Sequence, residues 1–264
     1  MNDTHDLTTY SASKLAELIR NNVVSSEEVV TDHISRIKQV NPKLNAVVVL
    51  TEKSALKSAR EADSLTQKSK LLPPLHGVPI TIKDAFEVAG VVSTGGTLGR
   101  KDYVPDTDAI AVKRLKQAGA IILGKTNLPE ISMGFESSNL VYGKANNPFD
   151  VERTPGGSSG GEASIIAAGG SPFGIGSDAG GSIRWPAHCC GIVGMKPTTG
   201  RAPRTGHWPA FSGIFSLVTQ IGPMARSVED ISLTLPMLSG PDGIDPTVMP
   251  IPLKDPSEVK LSEL

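Results

Sequence analysis

The sequence predicts an α/β fold, in which short buried strands alternate with helices, and three observations carry that prediction. Segments rich in β-branched and apolar residues, such as "ITIKD" (80–84), "AIILG" (120–124) and "FGIGSD" (173–178), are typical of buried strands. Segments with helical spacing or helix-forming composition lie between them. Glycine (27 residues) and proline (20) are abundant while aromatic residues make up 4%, as expected for many tight turns between short elements.

The first 70 residues are predicted to form a mostly helical region that packs on the core. Ser25 and Glu28 make a capping box before apolar residues at helical spacing. The "NP" pair at Asn41 and Pro42 is expected to end that helix. "NAVVVL" then predicts a short buried strand, and a helix rich in Lys, Glu and Ala follows over about residues 54–64.

Residues 71–240 are predicted to form the core of one structural domain. The strand "ITIKD" carries Lys83 near its end. "AIAVKRLKQAG" predicts a helix that stops at Gly119 and leads into the strand "AIILG". From residue 241 the chain is rich in proline and has no apolar period, so residues 241–264 are predicted to form an extended tail.

A Gly/Ser cluster, "TPGGSSGGEA" (154–163), raises the question of whether this stretch is a linker or a shaped backbone. A helix of small residues, "EASIIAAGG", is predicted to start directly on the cluster. The strand "FGIGSD" leads into a second glycine turn, "AGGS" (179–182). Function in such a chain is expected on these loops.

Composition excludes several classes of function. A net charge of −1 provides no electrostatic footprint for nucleic acid or an anionic membrane. No apolar run approaches the roughly 20 residues of a membrane helix, and the polar start lacks the pattern of a signal peptide. Cys189 and Cys190 are adjacent, which suits neither a disulfide nor a zinc site. The sequence therefore predicts a cytoplasmic protein without a membrane span, a metal or a nucleic-acid partner; self-association into a homo-oligomer is left open.

Two short motif matches are interpreted as accidental or weak. "GAIILGKT" (119–126) fits the P-loop pattern, but its middle residues favour an extended strand and Pro129 comes early in the expected helix. "GSSGG" fits the nucleophile elbow G-x-S-x-G around Ser158, but the segment before it resembles a loop. An elbow also needs a later histidine, and nothing marks His188 or His207 as a base.

A stronger constellation combines Lys83 with Ser158 and Ser182. Both serines lie among glycines that permit unusual backbone angles, and the lysine ends a strand. Serine needs a base to take its proton, and a buried lysine with a lowered pKa can serve without any histidine. Successive amides of the second turn can form an anion-binding nest for an oxyanion, namely those of Ala179, Gly180, Gly181 and Ser182.

These motifs resemble the amidase signature family, whose hallmark is a glycine- and serine-rich stretch carrying a Ser–cis-Ser–Lys triad. The likeness runs from about residue 11 to residue 241, most densely through "GVPITIKD", "LGKTNLPE", "NNPFDVERTPGGSSGGEAS", "GIGSDAGGSIRWPAHCCGIVGMKPTTGR" and "QIGPMARSVED". The resemblance implies a mixed central β-sheet covered by α-helices on both faces. By position, Ser182 resembles the nucleophile that forms the acyl-enzyme, Ser158 the bridging serine after a cis peptide bond, and Lys83 the terminal base.

The resemblance implies an amidase that hydrolyses the carbon–nitrogen bond of a small-molecule amide through a seryl acyl-enzyme, with no cofactor. Glu162 after "GGSSGG" is similar to the fatty-acid-amide-hydrolase and acetamidase-like branch. An alternative is an A-type subunit of an amidotransferase that acts on glutamine and misacylated tRNA, which more often carries serine there. Family members are longer, so the chain is expected to lack a C-terminal portion. A non-catalytic truncated remnant is therefore a third hypothesis, and the activity of the 264 residues alone is left open.

Further expectations concern the residues around the second glycine turn. Asp178 and Arg184 flank this turn and are expected to brace it by an ion pair. Trp185 and Met195 are predicted to lie in the core. Cys190 is expected to be buried and to contribute to packing rather than to reactivity.

Overall fold

Six strands form the central sheet in the computed structural model, which describes residues 6–254. The strands in chain order are β1 (Val47–Leu50), β2 (Pro79–Lys83), β3 (Ile121–Thr126), β4 (Ser138–Asn139), β5 (Gly143–Lys144), β6 (Phe173–Asp178), β7 (Val193–Gly194) and β8 (Gln220–Ala225). The sheet order is β1-β3-β2-β6-β8-β7, and β4 and β5 form a separate hairpin. β3, β2 and β6 run parallel, whereas β1, β8 and β7 are antiparallel to their neighbours. The predicted mixed sheet is confirmed.

Helices cover both faces of this sheet, as predicted. They are α1 (Ala12–Arg20), α2 (Ser26–Leu44), α3 (Glu52–Thr66), α4 (Ile110–Gln117), α5 (Gly160–Ala167), α6 (Arg184–Cys190), α7 (Ile214–Val218) and α8 (Val228–Leu238). On one face α1, α4 and α8 share a core with Ile82 of β2 and Ile175 of β6. On the other face α2, α3, α5 and α6 pack around Leu123 of β3 and Met224 of β8. Within residues 6–254 no helix has the length and apolar character to cross a membrane.

The helix predicted to stop at Asn41 and Pro42 continues to Leu44 instead. Its start is as predicted, because Ser25 and Glu28 form a complete capping box. Pro42 lies in the last turn, where it removes only one backbone donor. The side chain of Asn41 accepts two backbone amides just beyond the helix, so the chain leaves α2 with those amides satisfied.

The strands predicted from the short apolar segments are confirmed. β2 ends on Lys83, and every residue of β2, β3 and β6 is buried. β3 contains "IILGKT" and pairs with β1 on one side and β2 on the other. The P-loop pattern is therefore an extended strand, whose amides serve the sheet rather than a phosphate. Residues 241–254 form neither helix nor strand, and the rest of the predicted tail lies outside the described residues.

The amino end of α5 approaches the sheet closely at β6. A Cβ on Gly174 would overlap the carboxylate of Glu162, and one on Gly176 would lie 2.6 Å from Oγ of Ser159. Glycine at these two strand positions lets the Gly/Ser cluster lie directly against β6. The carboxyl ends of the parallel strands β2 and β6 lie at the same edge of the sheet, so the cluster meets both strand ends there.

Candidate active site

Lys83 stands at the carboxyl end of β2 with its side chain fully buried. Its Nζ lies 2.6 Å from Oγ of Ser158 and 3.0 Å from Oγ of Ser177. Ser158 belongs to the Gly/Ser cluster and Ser177 to β6, so the amine connects two segments that are distant in sequence. The structure therefore places two of the three residues of the predicted constellation in direct contact.

The amine of Lys83 is shifted towards its neutral form. Burial disfavours the charged ammonium and lowers the pKa from 10.5 to about 7, although the negative charges of Asp178 and Glu162 oppose that change. A neutral amine has a lone pair and can accept the proton of a hydroxyl group. Lys83 thus has the protonation behaviour of a general base near neutral pH.

The Gly/Ser cluster is a buried and well-braced turn. The peptide bond between Gly157 and Ser158 is cis, as the family resemblance implies. The hydroxyl of Ser137 donates to the carbonyl of Gly156 at 3.1 Å and accepts from the amide of Gly160 at 2.9 Å. Ser158 itself is only 1% exposed. The cluster is therefore a shaped backbone and not a linker.

Ser182 lies on the glycine turn after β6 and is half-buried, so it is more accessible than Ser158. Its carbonyl accepts a hydrogen bond from the amide of Ser159 at 3.1 Å, which ties this turn to the Gly/Ser cluster. The elbow interpretation, in which Ser158 would be the nucleophile, requires a preceding strand. Residues 145–157 contain none, and the buried hydroxyl of Ser158 contacts Lys83 instead.

Asp178, the last residue of β6, holds the glycine turn in place. Its carboxylate accepts the amides of Gly181 at 2.7 Å and Ile183 at 3.1 Å. The guanidinium of Arg184 donates two further hydrogen bonds, each of 2.9 Å, so the predicted ion pair is confirmed. Burial opposes the ionisation of Asp178, but these hydrogen bonds outweigh it and lower its pKa.

Three of the four amides predicted to hold an oxyanion remain unpaired. The amide of Gly181 donates to Asp178, which removes it from the predicted set. The amides of Ala179, Gly180 and Ser182 have no acceptor within the described range 6–254. The turn therefore presents unpaired donors beside the accessible serine, an arrangement that suits a developing negative charge.

Glu162 is a fully buried carboxyl group in the first turn of α5. It accepts hydrogen bonds from the hydroxyls of Thr81 and Thr126, and burial raises its pKa to about 7. These contacts fasten α5 to β2 and β3, and thereby fix the cluster relative to Lys83. Across residues 6–254, no group of three or more His, Cys, Asp or Glu side chains is placed to hold a metal ion.

A sequence model of the amidase family, described as "Amidase", matches residues 28–263. The chain belongs to the amidase family. Indoleacetamide hydrolase of Bradyrhizobium diazoefficiens is 42% identical over 97% of this chain and 50% of its own length. A glutamyl-tRNA(Gln) amidotransferase subunit of Moorella thermoacetica is 43% identical over 93% of this chain and 50% of its own length.

A solved structure of a fatty acid amide hydrolase matches this amidase-family chain with a TM-score of 0.90 and 33% identity. The match covers 97% of this chain and 46% of the other. The chain thus spans about half the length of the curated relatives it matches. The mixed sheet with helices on both faces is the fold of its family.

Two residues next to the amidase triad candidates were missed by the sequence reasoning. Nε2 of the buried His207 lies 2.8 Å from Oγ of Ser177, which in turn contacts Lys83. The available signal was weak: Ser177 is the next-to-last residue of a buried strand, two positions before the glycine turn. His207 follows in the chain by 30 positions, and only the fold brings it there. His188 is exposed and stacks on Trp185.

Aromatic side chains flank the glycine turn, and the prediction that Trp185 and Met195 are core residues is wrong. They are 41% and 36% exposed, because the short helix α6 buries its other side and Met195 follows the edge strand β7. Cβ of Trp185 and Cε1 of Phe135 lie 3.8 and 4.0 Å from where a Cβ on Gly181 would stand. Cys190 is buried, as predicted, and burial raises its pKa to about 12.

A buried ion pair supports the strand ends beneath the site. Nζ of Lys125 lies 2.8 Å from Oδ1 of Asp84, with both side chains fully buried. The other oxygen of Asp84 accepts the amide and hydroxyl of Thr94, and Lys125 also donates to Ser93. The pair therefore joins β3 and the end of β2 to the loop around residues 93–94.

Replacing Lys125 by methionine is expected to destabilise the protein by about 3–5 kcal/mol, because Asp84 would keep a buried, uncompensated charge. The matched control is Lys38→Met, which breaks an exposed ion pair with Glu52 at 2.7 Å. That control is expected to cost at most about 1 kcal/mol. Equilibrium denaturation of both variants is the measurement, and equal losses of stability would contradict the role given to Lys125.

Proposed function

We propose that this chain carries the catalytic centre of an amidase, a hydrolase of linear amide bonds that uses a Ser–Ser–Lys triad. Oγ of Ser182 attacks the amide carbonyl carbon while its proton passes to Ser158, whose own proton passes to Lys83. The protonated Lys83 then returns a proton through Ser158 to the leaving nitrogen, and the carbon–nitrogen bond breaks. Water attacks the resulting ester by the same route and releases the acid.

One observation carries this proposal more than any other. A fully buried lysine, whose pKa falls to about 7, contacts the hydroxyl of Ser158 at 2.6 Å. A lysine held there only for its charge would be expected beside a carboxylate, as Lys125 is beside Asp84. The contact between Ser158 and Lys83 instead joins a hydroxyl to an amine that burial shifts towards its neutral form.

The turn after β6 supports the proposal through backbone amides that can stabilise the tetrahedral intermediate. The unpaired amides of Ala179, Gly180 and Ser182 are proposed to bind the oxyanion of the tetrahedral intermediate. Each such donor typically contributes about 3–4 kcal/mol to stabilisation of the transition state. Asp178 fixes the turn from the other side through Gly181 and Ile183, so the donors are oriented before the substrate arrives.

The proposed substrate is an amide with an apolar or aromatic group next to the scissile bond. Phe135 and Trp185 stand beside the turn that carries Ser182, and they are 63% and 41% exposed. Such rings bind apolar groups through burial of their surface. The relatives named above as an indoleacetamide hydrolase and a fatty acid amide hydrolase act, by their names, on amides of this kind.

A second candidate function is that of an A-type subunit of an amidotransferase. The similarity to the amidotransferase subunit of Moorella thermoacetica favours it. Such a protein would release ammonia from glutamine in the presence of a partner protein, whereas the proposed amidase hydrolyses a simple aryl amide alone. Comparing glutamine with an aryl amide as substrate separates the two.

The compartment proposed for this enzyme is the cytoplasm. Both cysteines are free thiols, and Cys190 is buried beside the carbonyl of Pro155. Adjacent free thiols persist in a reducing environment.

The nucleophile is tested by labelling with a serine-directed fluorophosphonate, followed by mass spectrometry. We expect a single modified residue, Ser182, and no label in a Ser182→Ala variant. Ser212→Ala, which changes an exposed serine, is the matched control and should label normally. Label on Ser158 in the unchanged chain would revive the elbow interpretation, and the absence of any label would favour a non-catalytic remnant.

A further inference from the structure

A buried series of hydrogen bonds leads from Lys83 away from Ser158. Oγ of Ser177 lies 3.0 Å from Nζ of Lys83 and 2.8 Å from Nε2 of His207. Nδ1 of His207 then lies 3.1 Å from the carbonyl oxygen of Pro209. Lys83, Ser177 and His207 are 0%, 3% and 5% exposed, so water does not compete for these contacts.

The carbonyl oxygen of Pro209, at the end of this series, determines the direction of each hydrogen bond in it. A carbonyl oxygen only accepts, so Nδ1 of His207 carries the ring proton and donates to Pro209. Nε2 is then an acceptor, and it takes the hydroxyl proton of Ser177. The oxygen of Ser177 in turn can only accept from Lys83 along this series.

We propose that His207 is a positioning residue, which acts through Ser177 to turn the lone pair of Lys83 towards Ser158. A neutral amine has two N–H groups and one lone pair. One N–H is engaged by the oxygen of Ser177, which leaves the lone pair for the hydroxyl of Ser158 at 2.6 Å. The inference rests on the proposed function, in which Lys83 accepts the proton of Ser158.

Burial keeps His207 neutral, and the positive charges near it act in the same direction. Burial lowers the pKa of His207 to about 3, the nearby charges of Lys83 and Arg204 act in the same direction, and the hydrogen bond with Pro209 opposes them. The charged groups that act on Lys83 are Asp178 and Glu162. His207 therefore remains an acceptor for Ser177 throughout the pH range in which Lys83 titrates.

The surroundings of His207 offer an isosteric test. Its ring meets Phe86 edge-on with centroids 5.0 Å apart, and lies 5.2 Å from the ring of Phe211. A phenylalanine at position 207 keeps this aromatic packing but has no acceptor. The hydroxyl of Ser177 is then free to rotate and to donate to the lone pair of Lys83, where it competes with Ser158.

His207→Phe is expected to lower kcat for an aryl amide about tenfold with little change in KM. Because the rotated hydroxyl stabilises the neutral amine, the acidic limb of the pH profile should also move to lower pH. The double variant of His207→Phe and Ser177→Ala lacks the competing hydroxyl, so its kcat should equal that of Ser177→Ala alone. His207→Gln, whose amide oxygen can accept, should retain most of the activity. Equal losses in the Phe and Gln variants, or an unmoved pH profile, would overturn the proposal.

A second measurement does not depend on catalysis. Ring-nitrogen NMR shifts of His207 in the 264-residue chain should show the neutral Nδ1–H tautomer at neutral pH. An Nε2–H tautomer or a charged ring would place a proton between His207 and Ser177 and would overturn the inference. If the unchanged chain fails to hydrolyse amides while the tautomer is as expected, the proposed function fails and the hydrogen-bond direction stands.

Discussion

Replacing Lys83 by methionine is expected to lower kcat/KM for amide hydrolysis by a factor of about 10²–10⁴, the range that a positioned general base contributes. Lys83 is fully buried, and methionine occupies a similar volume without a charge to bury. The variant therefore removes the base from Ser158 while the packing around β2 is largely kept. A thermal melt close to that of the unchanged chain would show that the loss is chemical.

The role of Lys83 as a base also predicts how activity should vary with pH. Only the neutral amine accepts a proton, and burial lowers the pKa of Lys83 to about 7 despite Asp178 and Glu162. Activity should therefore rise as the pH increases through about 7 and level off above it. In Lys83→Met that rise should disappear from the residual activity. The measurement is kcat/KM for a chromogenic aryl amide across this range.

The Lys83→Arg variant distinguishes between two possible roles of Lys83, that of a general base and that of a structural cation. Arginine keeps the positive charge but does not lose its proton at these pH values. If Lys83 is the base, the arginine variant should be as inactive as the methionine variant. Restored activity with arginine, or an unchanged pH profile with methionine, would mean that Lys83 acts only through its charge.

Much of the fold could be predicted because each element has a local signal. The segment that ends in Lys83 is short and β-branched, and β2 is formed there. The capping box at Ser25 and Glu28 marks the start of α2 correctly. The end of α2 was predicted wrongly because the local effect of Pro42 is small in a last turn, where Asn41 satisfies the amides that follow.

The candidate site was predictable to the extent that its residues lie in recognisable motifs. Lys83, Ser158 and Ser182 each stand next to glycine-rich or strand-end patterns, and the resemblance ordered them. The pair of Ser177 and His207 has no such pattern, because its contact spans 30 positions and depends on how β6 and the later loop pack. The engagement of the Gly181 amide by Asp178 likewise follows from turn geometry, which composition does not contain.

Two glycines show how packing and chemistry are joined here. Gly174 and Gly176 interrupt the apolar pattern of β6, a weakness in a strand by itself. They admit Glu162 and Ser159 against the sheet, so the amino end of α5 and the cluster before it sit over the strand ends. The same close approach excludes water around Lys83, and the resulting desolvation is what lowers its pKa. The backbone shape of the cluster is therefore part of the reason why the amine of Lys83 is shifted towards its neutral form.

Replacing Ser158 by alanine is expected to lower kcat/KM by about 10²–10⁴-fold as well, because the proton of Ser182 would have no relay to Lys83. Its neighbour provides a matched control. Ser159 is fully buried, and its hydroxyl has no hydrogen-bond partner among residues 6–254. Ser159→Ala keeps the backbone amide that donates to the carbonyl of Ser182. The loss of kcat/KM in this variant should therefore be at least about tenfold smaller than the loss in Ser158→Ala.

The double variant of Ser158→Ala and Lys83→Met decides whether the two residues act as a unit. Residues that carry one proton in sequence show losses that do not add, because the first substitution already breaks the route. The double variant should therefore be about as inactive as either single variant. The contact of 2.6 Å between Nζ and Oγ is the structural basis for that expectation. Losses that multiply, or a Ser159→Ala variant as inactive as Ser158→Ala, would show that Ser158 serves the turn and not the transfer of the proton.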